Sequence, residues 1–154
     1  MNEEIKFIVT RELGRLAKWL RILGFDAKYS PDLLSMSHLI VETLQDNRIL
    51  VTRNTHIGTR QGTRVVTIKS DFFKEQLTQI IRELNLELEG RRFFGRCILC
   101  NLALENAVKE KIKNKVPLYV FDTQDKFLEC SGCGRVYWPG THWGNVAELL
   151  NNFV

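Results

Sequence analysis

Proline is scarce in this chain of 154 residues, with only three, and glycine numbers ten. Both counts are too low for a fibrous protein. No apolar run approaches the roughly 20 residues that a membrane-spanning helix needs, so no membrane association is expected. The opening residues, Met1-Asn2-Glu3-Glu4, are acidic and lack the basic-then-apolar layout of a secretory leader. A soluble, cytoplasmic protein is the expectation. Internal repeats and low-complexity tracts are missing too. What is present is a chain 44% hydrophobic and 26% charged, too apolar to stay disordered. Its length suits one α/β domain of about 90–100 residues with one small appendage.

Cysteine is confined to four positions, Cys97, Cys100, Cys130 and Cys133. In a cytosolic chain such residues read as metal ligands or catalytic thiols before disulfides. Two Cys-x-x-Cys knuckles can each aim two thiolates at one point, and together they complete a tetrahedral Zn²⁺ site. Gly132 and Gly134 flank the last ligand and permit a tight turn. A redox dithiol or a pair of disulfides is the competing reading, and neither accounts for both knuckles together. Four thiolates leave zinc no open position, so the metal is expected to be structural. Residues 117–121 and 135–137 read as strands of this zinc ribbon.

The net charge of +4 is unevenly placed. From Lys6 to Lys74 there are twelve Lys/Arg against six Asp/Glu, whereas from Cys97 onward there are six of each. The basic, aromatic stretch 90–96 marks the expected boundary, giving domains 1–90 and 91–154. In the first, residues 5–9, 27–29, 48–52 and 64–69 read as strands. Residues 12–23, 35–45 and 72–84 read as helices, with Gly24 as a C-cap. Alternating strands and helices imply right-handed crossovers and a parallel sheet, with the site beyond the C-terminal strand ends. Those ends are Thr10-Arg11 and Thr52-Arg53-Asn54.

Residues 13–26, LGRLAKWLRILGFD, resemble the first helix signature of the Mut-seven C-terminal RNase family. Residues 48–53, RILVTR, resemble its third strand, and the knuckles with residues 136–143, VYWPGTHW, resemble its ribbon and tail. The resemblance implies an α/β fold, a PIN-like three-layer domain with a parallel sheet, followed by a small zinc ribbon. It also implies Mg²⁺- or Mn²⁺-dependent RNA cleavage by clustered acids, chemistry that needs oxygen ligands. Three positions depart from that pattern. Where the family carries Asp, this chain has Thr10, Met36 and Asn54.

Asp32 and Asp71 are the remaining carboxylates expected near the site, each with a turn or helix-capping role as the plainer reading. His38 and His56 offer a metal-free general acid–base alternative. Arg11, Arg15, Lys18, Arg53, Arg60, Arg91 and Arg92 are the expected RNA contacts, with a solvated basic face as the plainer reading and Phe93 and Phe94 either stacking on bases or packed between the two modules. Trp138 and Trp143 are expected to pack the ribbon against the main domain, and Thr141 to cap a final helix over 143–152. Two functions compete: a degenerate nuclease that binds RNA or a ribonucleoprotein, and an active ribonuclease using residual carboxylates or histidines, with Mg²⁺ or Mn²⁺ needed only in the metal-dependent case. A protein-binding adaptor is the weaker third. Oligomeric state is not legible.

Overall fold

The computed structural model describes residues 4–30, 36–57, 62–88, 93–139, 148–149 and 151. The chain divides into two compact units, Met1–Asn101 and Leu102–Val154. Among the described residues no helix is long and apolar enough to cross a membrane.

In the first unit, β1 (Lys6–Val9), β2 (Asp26–Tyr29), β3 (Ile49–Thr52) and β4 (Arg64–Thr67) form one sheet in the order β2-β1-β3-β4. All three pairings are parallel, with Phe7 opposite Ile49 and Leu50 opposite Val65. Phe7, Ile8 and Val9 are buried, as are Ile49, Leu50 and Val51. Successive strand residues point to opposite faces, so both faces of the two central strands are covered. On one face, Ile8 and Leu50 pack with Leu39 of α2 (Met36–Gln45) and with Ile57. On α1 (Gly14–Ile22), Leu16, Ala17, Leu20 and Arg21 are buried, a stripe at helical spacing. On α3 (Phe73–Glu83), Leu77 and Ile80 are fully buried. Each such apolar side chain contributes about 1.5–3 kcal/mol.

Local chemistry sets the ends of these elements. Gly24 takes φ +92° and donates its N–H to the Arg21 carbonyl, closing α1 as the sequence implies. Gly14 lies close against Tyr29. A Cβ there would stand 3.2 Å from the Tyr29 hydroxyl oxygen, and that hydroxyl donates to the Arg11 carbonyl at 2.7 Å. On α3, Gln79 ties the helix to the end of β4, donating to Thr67 O at 2.8 Å and accepting from Lys69 N at 3.0 Å.

The second unit holds an antiparallel sheet, β5 (Glu105–Ala107), β6 (Phe127–Glu129) and β7 (Val136–Tyr137), in that order. Residues 117–121 are not the strand expected of them. Leu118–Thr123 form a helix, α4, with Pro117 as its N-cap. Proline's fixed φ suits a helix start, and the burial shows no alternation: Leu118 and Tyr119 are exposed while Val120 is buried. Thr123 turns its hydroxyl back onto the Tyr119 carbonyl at 2.6 Å, a bond available only in a helix. Ile112, Val116, Val120, Phe127 and Val136 make this unit's core, and Trp138 packs against it. Trp143, Thr141 and most of the expected final helix lie outside the described residues.

Candidate nucleic-acid interface and metal centre

The order β2-β1-β3-β4 sends the chain outward from β1 to β2 and then back across to β3. The loops leaving β1 and β3 therefore run in opposite directions, and such a point is where α/β sheets usually bind their ligands. Thr10, buried at 8% exposure, continues the ladder by donating its N–H to Val51 O at 3.1 Å. Thr52 is buried at the end of β3. Between them lies a carboxylate that sequence reasoning passed over. One oxygen of Glu12 accepts from the Thr10 hydroxyl at 2.7 Å, the Thr52 hydroxyl at 3.3 Å and the Arg53 backbone N–H at 3.0 Å. Burial pushes the Glu12 carboxyl up, but those bonds outweigh it and hold the group below its ordinary range. The missed signal was position: Glu12 stands two residues beyond Thr10, on the 3₁₀ turn Arg11–Leu13 that leads into α1.

The other candidate residues divide sharply. Asn54 spends its amide oxygen on the His56 N–H at 2.9 Å, a local turn. Asp71 does not cap α3; it pairs with the Arg53 guanidinium through Nη1. Ser70 takes the local role instead, accepting from Phe72 N at 3.0 Å and donating to Glu75. The Arg53 Nε is buried without a hydrogen-bond partner. Arg15 stacks over the Phe73 ring at 4.4 Å, and Arg11 and Lys18 are exposed. Arg15 and Lys18 line a shallow groove of about 450 Å³ with Tyr29 and Leu99. His38 is exposed on α2, 3.7 Å from Glu42, and His56 is exposed in its turn. Met36 opens α2. Phe94 is buried at 8% exposure, which excludes base stacking by that ring. Asp32, Arg60, Arg91 and Arg92 lie outside the described residues.

The Sγ atoms of Cys97, Cys100, Cys130 and Cys133 all lie within 4.8 Å of one another, and none of the four is in a disulfide. Four sulfurs tetrahedrally around zinc at about 2.3 Å would be spaced about 3.8 Å apart, so the donor set fits such an ion. The two knuckles share one construction. Asn101 follows the first with φ +64°, and its N–H reaches the Cys97 carbonyl at 2.9 Å. Gly134 follows the second with φ +74°, and its N–H reaches the Cys130 carbonyl at 2.9 Å. Inside each turn a backbone N–H points at the first sulfur: Cys100 to Cys97 at 3.4 Å, Gly132 to Cys130 at 3.3 Å. Among the described residues, these cysteines are the one group of three or more Cys, His, Asp or Glu side chains placed to share a metal.

A parallel α/β sheet whose strand order reverses between β1 and β3, and a four-cysteine cluster able to bind a metal such as zinc, define the class. The Mut7-C RNAse domain matches residues 5–150, nearly the whole chain, and the chain belongs to that family. Its role is therefore related to ribonucleases. No curated protein and no solved structure matches it.

Proposed function

We propose that this chain is a cytoplasmic RNA-binding member of its family, in which the crevice at the ends of β1 and β3 grips a phosphate backbone of RNA or a ribonucleoprotein without cutting it. In this reading residues 1–90 are a PIN-like three-layer domain and residues 91–154 a ribbon around structural zinc. One observation carries the proposal. The crevice offers Thr10, Thr52, Arg53 and Asn54; of the described carboxylates beside them, Glu12 is engaged at one oxygen by three protein donors and Asp71 is paired with the Arg53 guanidinium. Divalent-cation hydrolysis needs several carboxylate oxygens converging on the ions. Arg11, Arg15, Lys18 and Arg53 instead supply cations for the phosphates, and Arg60, Arg91 and Arg92 are proposed as further RNA contacts.

A second reading, a metal-dependent ribonuclease, has Glu12 in its favour. That carboxyl stays ionised and stands at the switch point, so it offers one acid where Thr10 offers none. Labelled single-stranded and structured RNA, incubated with the purified protein in Mn²⁺ and in EDTA, separates the two. Salt-sensitive binding with intact RNA in both conditions is expected. Cleavage in Mn²⁺ that disappears in Glu12→Gln or Asp71→Asn overturns the binding proposal.

A further inference from the structure

Arg21, at 8% exposure, stands out as the one charged residue that is buried among the described residues. Burying a guanidinium is costly unless its donors are met. Its Nε donates to Ala27 O at 2.9 Å, and its Nη1 reaches Ile98 O at 2.6 Å and Leu99 O at 3.2 Å. Ile98 and Leu99 are the two residues between Cys97 and Cys100. The buried cation of α1 therefore holds the carbonyls of the turn whose ends are the first two thiols.

Asn101 holds the same turn from its other side. Its Oδ1 accepts from Ala27 N at 3.0 Å, and its Nδ2 donates to Asp26 Oδ1 at 2.6 Å. Ala27 belongs to β2, an edge strand of the sheet, so a side-chain amide here meets a strand N–H that has no neighbouring strand on that side. Arg96 secures Asn101 further by donating to its carbonyl at 2.7 Å. Asp26 is itself fixed by Arg48 Nη1 at 2.8 Å. One residue of the sheet, Ala27, thus gives its carbonyl to Arg21 and its N–H to Asn101.

We infer that Arg21 and Asn101 are positioning residues for the metal, holding the Cys97–Cys100 knuckle in ligating geometry on the edge of β2 so that half of the thiolate site is preformed before metal arrives. The inference rests on reading the four cysteines as a zinc site. A ligand turn that is ordered in advance spares metal binding the cost of ordering it. Lysine cannot replace the guanidinium, because one ammonium lacks the planar fork that reaches three carbonyls. Partners behind metal ligands typically change affinity 10–100-fold when removed.

The test titrates Co²⁺ into the reduced, metal-free full chain, follows the thiolate-to-cobalt charge-transfer bands, and obtains zinc affinity by competition. Arg21→Lys and Asn101→Gly are each expected to weaken zinc binding about 10–100-fold. Glycine keeps the left-handed backbone at 101 and removes only the amide bonds, so that variant carries the test where Arg21→Lys fails to fold. Ile80→Val, which loosens the α3 core away from the knuckle, is the control and should leave affinity unchanged. Normal affinity in both knuckle variants overturns the inference and leaves the zinc site standing. An equal loss in Ile80→Val shows a merely structural role and also overturns it. A parent protein with no thiolate–cobalt bands overturns the zinc reading, and the inference with it.

Discussion

The backbone N–H of Arg53 donates to the Glu12 carboxylate across 3.0 Å, joining the chain just beyond β3 to the turn that leaves β1. The same oxygen takes the hydroxyls of Thr10 and Thr52, so Glu12 places an anion at these strand ends. Glu12→Gln keeps an acceptor there but removes the charge. Because Glu12 is largely exposed, the change should cost only about 0–1 kcal/mol, and it should tighten RNA binding severalfold. Urea unfolding and fluorescence anisotropy on labelled RNA measure the two effects. A variant that binds RNA more weakly than the parent contradicts the proposed role.

Arg53 is held on its side-chain end by Asp71, whose carboxylate side chain is 78% exposed. An ion pair so exposed is worth about 0–1 kcal/mol, little enough for a phosphate to displace it. Asp71→Asn should therefore strengthen binding of single-stranded RNA a few-fold with little change in stability. Arg53→Gln should weaken binding and reduce the salt slope by about 0.7, the value of one phosphate contact on a single strand. In the double variant the gain from Asp71→Asn should vanish. A gain that persists without Arg53 would show that Asp71 acts only through the general field.

The parallel sheet was legible because its strands are short apolar runs bounded by charged or turn residues, and both faces of Ile49–Val51 are buried accordingly. The knuckles were legible because metal-ligand spacing is local. Residues 117–121 misled because a short apolar run has no period of its own; Pro117 was the helix signal. β5 and β6, at three residues each, carry too little pattern to register. Arg21 was readable in principle, since it falls four residues after buried Ala17 on the stripe that packs inward. Glu12 escaped for a different reason. Its role depends on Thr52 and Arg53, some forty residues away, and no local pattern contains that.

Asp26 makes stability depend on pH. Burial raises its carboxyl, but the hydrogen bonds from Arg48 and Asn101 and the charges of Arg48 and Arg96 win, leaving it below its ordinary value. A carboxyl depressed on folding contributes stability that is complete above the unfolded value, about 4. It is lost as pH falls through the folded value. Asp26→Asn should cost about 1.5–3 kcal/mol at pH 7, the worth of hydrogen bonds to a charged group, and progressively less as the pH falls below about 4. Urea unfolding across this pH range should show the parent and variant curves converging in acid. Parallel curves would place the acid sensitivity elsewhere.

Metal removal should act unequally on the two units. The second rests on a cluster of five buried apolar residues, Ile112, Val116, Val120, Phe127 and Val136, and a core that small rarely holds a fold without a staple. In the first, the sheet, α1 and α3 bury Phe7, Leu20, Leu50, Leu77 and Ile80 completely, and none of these contacts needs a metal. Stripping zinc with a strong chelator under reducing conditions should therefore melt the Leu102–Val154 unit while the parallel sheet persists. Amide hydrogen exchange is the measurement. Protection should collapse at Phe127–Glu129 and Val136–Tyr137 and survive at Phe7–Val9 and Ile49–Val51. It should also persist at Asn101, whose N–H to the Cys97 carbonyl belongs to a turn held by Arg21. Uniform loss across both sheets would mean that the metal stabilises the whole chain cooperatively and that the first knuckle has no independent support.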